Sequence, residues 1–335
     1  MIPHRYPFGS APRCLLSLTL TLAAGWWTPT VLAQQHPSSI RAGLEAIQIR
    51  PNVHVVFGAG GNVTVHVGED GLVVVDSGST DAAEKLLEAI RSISGQPIRL
   101  IVNTSADPDH MGGNAILGGA GVGLSPDPFG FGNNATVLAH ENTMLRMSLP
   151  REGVVPLPAK MWPNDTFTSK FRSMYVNNEA IQVMRQTGAH TDGDAMVLFR
   201  KADVLVTGDV LDLRQFPVID PANGGTIQGS LEALNRLVTE LVVPNMPLVL
   251  KEGRTLVVPG HGRVSDFAEV VEYRDMVTVI RDRVQSMIDK GQTLAQVKAA
   301  DPTKGYRGRF GKDAGPWTTE KFVEAVYNGL KGPRS

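Results

Sequence analysis

Leu72-Val73-Val74-Val75 is an unbroken apolar run that stops at Asp76. A strand with one wet face alternates apolar and polar residues; an uninterrupted run of branched apolar residues suits a strand covered on both faces. A chain with such a strand must lay material on each side of a sheet, which points to an α/β architecture. The neighbouring sequence agrees. Val53–Phe57 and Asn62–Val67 read as strands about a Gly58-Ala59-Gly60-Gly61 turn, and the second alternates as a half-buried strand should. Gly68-Glu69-Asp70-Gly71 is a hairpin turn. From Asp81 to Ser94 the spacing of Leu86, Leu87 and Ile90 predicts a helix, with Asp81 placed to cap it and Glu84 set for a capping box. A strand over 98–103 follows.

Further along, residues 34–50 read as a short leader. Residues 117–135 are rich in Gly, Pro and Asn, carry Phe129 and Phe131, and read as a long loop. Thr136–Ala139 reads as a short strand and Glu141–Ser148 as a short helix. Pro150, Pro156, Pro158 and Pro163 keep residues 149–168 extended. Ala180–Arg185, Met196–Arg200, Val204–Thr207 and Thr255–Val258 are predicted strands. Residues 229–242 form an amphipathic helix on Leu231, Leu234, Leu237 and Leu241, and 266–290 and 317–331 are further helices. Two β-rich halves, each closed by helices, predict a four-layer αββα sandwich. It spans residues 34–335 as one domain with a C-terminal helical extension.

The first 33 residues form a separate segment. Arg5 and Arg13 precede the apolar stretch Leu15–Ala24, and Val31-Leu32-Ala33 offers a cleavage site before Gln34, which is a secretory signal pattern. The apolar run falls short of the ~20 residues a membrane span needs. Cleavage after Ala33 takes the formal charge from −1 to −3, because two arginines leave and no acid does, and it removes Cys14, the only cysteine. The mature chain is then expected in the periplasm or outside the cell, without a disulfide or a thiol nucleophile. At 42% hydrophobic and 19% charged residues it has material for a core, and its charge suits neither a nucleic-acid groove nor a polybasic membrane surface.

Four polar outcrops each follow a predicted strand. They are Asp107, Asp109 and His110 in NTSADPDHMGGN; His190 in GAHTDGD; Asp209 in TGD; and His261 in PGHG. Strand ends that run into Gly-rich loops are where such scaffolds carry chemistry. Histidine and aspartate bind zinc and related ions at neutral pH.

In this order and spacing the sequence resembles the metallo-β-lactamase superfamily, from about Val53 to Arg263. The resemblance rests on Asp76-Ser77-Gly78, Asp109-His110 with Gly112-Gly113, Ala189-His190-Thr191, Gly208-Asp209 and Gly260-His261-Gly262. It implies that family's αββα fold and a hydrolase in which a metal-bound hydroxide attacks an ester, lactone, amide or related bond of a small-molecule substrate. The family motif is His-x-His-x-Asp-His. Carried over, the second metal site is complete in Asp109, His110 and His261, with Asp209 bridging. The first falls on Ser105, Asp107 and His190, so two imidazoles are missing; Asp107, His190 and Asp209 are the groups left to hold an ion there. The resemblance implies one or two zinc ions, with Mn²⁺ or Fe²⁺ suited to the oxygen-rich first site. It assigns Asp109 the orientation of the hydroxide, and leaves Asp76, Thr191 and Asp194 to fix the ligand loops. The alternative is a degenerate member that binds metal or ligand without catalysis.

Outside this set, His54 and His66 read as surface or half-buried strand residues and His140 as structural. Trp162, Phe129 and Phe131 are candidates for a substrate cleft, and Arg214 and Lys251 for an anionic group.

Overall fold

The computed structural model describes residues 38–41, 43–124, 134–151, 153–244 and 254–332. The predicted signal segment, Phe129, Phe131 and Lys251 lie outside them. The described strands are β1 (Ser38–Arg41), β2 (Leu44–Arg50), β3 (Val53–Ala59), β4 (Gly61–Gly68), β5 (Gly71–Val75), β6 (Ile98–Val102), β7 (Thr136–His140), β8 (Asp165–Phe167), β9 (Phe171–Val176), β10 (Glu179–Gln186), β11 (Asp194–Phe199), β12 (Val204–Asp212) and β13 (Leu256–His261). The helices are α1 (Ala83–Ile93), α2 (Pro108–Met111), α3 (Asn114–Gly119), α4 (Glu141–Ser148), α5 (Ile227–Arg236), α6 (Phe267–Asp289), α7 (Leu294–Ala299), α8 (Arg307–Phe310) and α9 (Thr319–Lys331).

Strands β1 to β8 form one sheet in chain order, and β13-β12-β11-β10-β9 form the other. The first sheet opens as an antiparallel meander and turns parallel from β5 onward, where α1 provides the crossover to β6. In the second sheet only β12 and β13 are parallel. Three apolar clusters define the layers. Val53, Val73, Leu100 and Leu138 of the first sheet meet Val183, Val197, Val206 and Val258 of the second between the sheets. Leu86, Leu87 and Ile90 of α1 cover the other face of the first sheet against Val63, Val65 and Val74. Val270, Tyr273, Val277 and Phe322 from α6 and α9, with Leu231 and Leu234 of α5, cover the second. The molecule is therefore the αββα sandwich that the buried run at Leu72–Val75 requires: all of β5 is buried.

Several elements differ from the sequence reading. Residues 34–50 are not merely a leader: β1 and β2 extend the first sheet, and Leu44, Ala46 and Ile49 bury against it. Asp81 does not cap α1. The chain enters through a 3-10 turn, Thr80–Ala82, and neither its N-cap Ser79 nor Ala82 at the head of α1 makes a side-chain capping bond. The segment 149–168 holds a 3-10 turn and β8. Strand β9 has no counterpart in the reading; its Phe171, Ser173 and Tyr175 face solvent, so its pattern lacks a buried stripe.

His66 on β4 is not the surface or half-buried residue its sequence suggests but a fully buried side chain stacked on Phe199, and its ring nitrogens meet the side-chain amides of Asn52 at 2.8 Å and Asn177 at 3.3 Å. Burial pushes its pKa down to about 4. The unfolded chain, with an ordinary imidazole, takes up a proton that the folded chain refuses. Its share of stability is therefore present above about pH 6.5 and lost as pH falls toward 4. Urea unfolding across that window should show a shallower acid-side loss in His66→Gln than in the wild type; equal slopes would show that His66 does not titrate in this way.

Candidate metal centre

Five segments from the two sheets end at one place. Strand β5 delivers Asp76, the loop after β6 delivers Asp107 to His110, the β10–β11 turn delivers His190, β12 carries Asp209, and β13 ends in His261. The parallel pairing of β12 with β13 loses register around Gly208, which has φ +52°. A break of this kind re-aims a side chain, and here it is Asp209 that lies against three imidazoles.

Two groups of donors result. Asp109, His110 and His261 form one, and Asp107, His190 and Asp209 the other, with the ligand atoms of each group within 4.8 Å of one another. Asp209 serves both: Oδ1 lies 3.1 Å from His110 Nε2 and 3.5 Å from His261 Nε2, and Oδ2 lies 3.9 Å from His190 Nε2. His190 Nε2 is 2.8 Å from Asp107 Oδ2, and His261 Nε2 is 3.1 Å from Asp109 Oδ2. The side chains of Asp107 and Asp109 are 37% and 38% exposed, whereas that of His110 is sealed, so the two aspartates mark the open side.

The support around these groups is built from the same loops. His110 Nδ1 donates to Asp76 Oδ2 at 2.7 Å; a carboxylate only accepts, so that nitrogen carries the proton and Nε2 faces Asp209. Asp76 also accepts from Thr104 N and Oγ1, both at 2.7 Å. His190 Nδ1 contacts the Val218 carbonyl at 3.0 Å. Asp194 accepts from Thr191 N and Oγ1, closing the turn that presents His190. Ser105 takes no place among the donors: its Oγ accepts from Asp107 N at 3.1 Å. Trp162 donates to the Leu157 carbonyl and Arg214 to Asp212, so each has a partner within its own loop.

Sequence reasoning missed two features. Asn103 and Asn114, the first and last residues of NTSADPDHMGGN, bond to each other through both amides at 2.7 and 3.0 Å, and clasp the loop shut. Both are buried, and a buried amide pair at the two ends of a motif is visible only once the loop closes. The second is the glycine wall. A Cβ on Gly61 would fall 2.8 Å from His110 Cε1, and one on Gly260 2.4 Å from Asp209 Oδ1. Gly60-Gly61 reads as a turn, and nothing in its spelling shows what it approaches.

A divalent cation fits these residues. His110 Nε2 and Asp209 Oδ1 are buried, 3.1 Å apart, and neither makes a hydrogen bond. Buried atoms so placed are costly unless a proton or a cation joins them. The donors are imidazoles and carboxylates, the set that zinc and its neighbours take.

Without a cation the cluster is an ion-pair network. Burial works against the His110 charge, but Asp209 and Asp76 outweigh it and hold its pKa well above the ordinary value. His190 is likewise raised to about 10, as Asp107 and Asp209 overcome burial. Asp209 is held below the usual carboxylate range: burial opposes its charge, and His110, His190 and His261 more than compensate. Asp109 is also lowered, the hydrogen bond to His261 and the His110 charge prevailing over burial. Burial raises Asp194 to about 6.

Residues 56–122 match the family model of the metallo-beta-lactamase superfamily. No curated protein sequence matches the chain. Among solved structures, the stereoselective inverting sec-alkylsulfatase Pisa1 from Pseudomonas sp. is similar over 84% of this chain and 49% of its own, at 15% identity and a TM-score of 0.60. A metallo-beta-lactamase from Pontibacter korlensis matches 70% of this chain and 99% of its own, at 19% identity and a TM-score of 0.53. The DIM-1 metallo-beta-lactamase matches 73% and 98%, at 17% identity and a TM-score of 0.51. The chain thus spans about half the length of the alkylsulfatase. It has the metallo-β-lactamase fold, and its first sheet carries the superfamily's sequence pattern. These neighbours are a sulfatase and β-lactamases.

Metal binding must displace protons, because ligation needs bare imidazole nitrogens. His110 and His190, both raised, carry protons at neutral pH in the metal-free protein. Zinc binding at pH 7 should therefore release protons, and affinity should fall as pH falls. Calorimetry in two buffers of different ionisation enthalpy measures this; no net release would contradict the assigned donors.

Proposed function

We propose that the protein is a secreted, metal-dependent hydrolase that cleaves an ester, lactone, amide or sulfate-ester bond of a small molecule. The observation that carries this reading is the shared position of Asp209 between the two donor groups, beside the orphaned His110 Nε2. A bound divalent cation acidifies coordinated water and polarises a substrate oxygen. Asp109, His110, His261 and Asp209 would hold one ion; two imidazoles with carboxylates suit zinc. Asp107, His190 and Asp209 would hold the other; this oxygen-richer set suits Mn²⁺ or Fe²⁺. Asp109 sits on the open side with its carboxyl kept ionised, so it can orient the attacking water. Asp76, Thr191 and Asp194 keep the His110 and His190 loops in place. Export rests on the leader: Arg5, Arg13, the Leu15–Ala24 run and the Val31–Ala33 site.

One preparation tests the reading. The protein, made in a Gram-negative host with its own leader, is recovered from the periplasm and offered Zn²⁺, Mn²⁺ and Fe²⁺ together. Elemental analysis should find at least stoichiometric metal on a chain that begins at Gln34. A panel of carboxylic esters, lactones, β-lactams and secondary alkyl sulfates should include a substrate whose turnover a chelator abolishes and added metal restores. Asp209→Ala should lose both metal and turnover. Substoichiometric metal without metal-dependent turnover would sink the hydrolase reading. Full metal without turnover would favour a non-catalytic binder, and an uncleaved cytoplasmic chain would remove the assignment to export.

A further inference from the structure

We propose that the tip of the β3–β4 hairpin, Gly60-Gly61-Asn62, sets the geometry of the Asp109/His110/His261 cluster, with Asn62 as the positioning residue. The inference rests on the metal-dependent reading above.

The cluster draws on both sheets. Asp109 and His110 come from the loop after β6, and His261 from the end of β13. Their relative placement therefore depends on whatever crosses between those segments. The hairpin tip touches both. On one side it packs against the first two donors: a Cβ on Gly60 would lie 2.9 Å from Asp109 Cβ, and one on Gly61 2.8 Å from His110 Cε1 and 3.1 Å from its Nε2. On the other side, Asn62 is buried and its amide nitrogen donates to the Pro259 carbonyl at 2.9 Å and the Gly262 carbonyl at 2.8 Å. Those carbonyls flank Gly260-His261. An amide NH₂ has two N–H donors, and both are spent on the two ends of the turn that presents His261. Consecutive residues thus gauge Asp109, His110 and the His261 turn at once.

Alanine, serine or aspartate at position 62 cannot supply two donors. The side chain has no charge and is not itself a metal ligand, so its effect on an ion must pass through His261. If Asn62 served only to satisfy two buried carbonyls, its loss would lower stability and leave intrinsic metal affinity alone. If it positions, its loss weakens the ion as well, by the amount typical of residues that orient ligands, about 10–100-fold.

The test measures Zn²⁺ affinity by competition with a chromogenic chelator, the Co²⁺ d–d spectrum, and urea unfolding of metal-free protein. The variants are Asn62→Ala and Gly61→Ala. Gly61 is outside the positive-φ region, so its added methyl strains the approach to His110 and, at 3.1 Å, to the Asp109 carbonyl, and not the hairpin backbone itself. Ile90→Ala, a core truncation in α1, controls for lost stability. We expect both tip variants to lose Zn²⁺ affinity about 10–100-fold and to alter the Co²⁺ spectrum, while Ile90→Ala keeps both despite weaker folding. Wild-type affinity and spectrum in Asn62→Ala and Gly61→Ala would overturn the proposal alone. Should Asn62→Ala fail to fold, Gly61→Ala decides. A wild-type protein that takes up no zinc or cobalt would overturn the metal reading itself and this proposal with it.

Discussion

The Asp76 carboxylate is the point on which the site depends. It is buried, and it accepts the backbone and hydroxyl of Thr104 and the Nδ1 proton of His110. One side chain thereby ties the end of β5 to the start of the loop after β6 and to that loop's helical turn at Pro108–Met111. The residue holds φ +64°, a region that few non-glycine residues occupy. Its bond to Nδ1 leaves Nε2 as the nitrogen that faces Asp209.

From there the two halves of the chain divide the work unequally. The first sheet supplies Asp107, Asp109 and His110 from one clasped loop, and the second supplies His190 from the β10–β11 turn, Asp209 from within β12 and His261 from the end of β13. Asp209 can face both donor groups because the register of β12 breaks beside it. The glycines at 61 and 260 let backbone pass where a side chain would strike a donor. The donor groups differ in kind: one has two imidazoles, the other one imidazole and two carboxylates.

Much of this is legible in the sequence for a physical reason. Burial on both faces forces an unbroken apolar spelling, so Leu72–Val75 declares β5 and its layers. Helical spacing declares α1, α5, α6 and α9. The donors stand out because His and Asp after a strand, beside glycine, have few other uses in combination. Strand β2 is legible as well: Leu44, Ala46 and Ile49 are buried and Glu45, Gln48 and Arg50 lie between or beside them, the alternation of a half-buried strand. What stayed hidden depends on pairing across the fold. The Asn103–Asn114 clasp and the Asn62 bridge each join residues whose spacing carries no period. Ser105 reads as a missing ligand, and its turn with Asp107 N appears only in the folded loop. The cap predicted at Asp81 is a local preference that the 3-10 entry to α1 overrides.

A cation at the meeting point of the two sheets is what the donor arrangement calls for above all. Anomalous diffraction at the zinc edge, from crystals of the protein grown with zinc, tests that directly. It should place an ion about 2.0–2.2 Å from His110 Nε2, His261 Nε2 and a carboxylate oxygen of Asp109 or Asp209. Crystals with zinc bound elsewhere, and none among these four side chains, would contradict it.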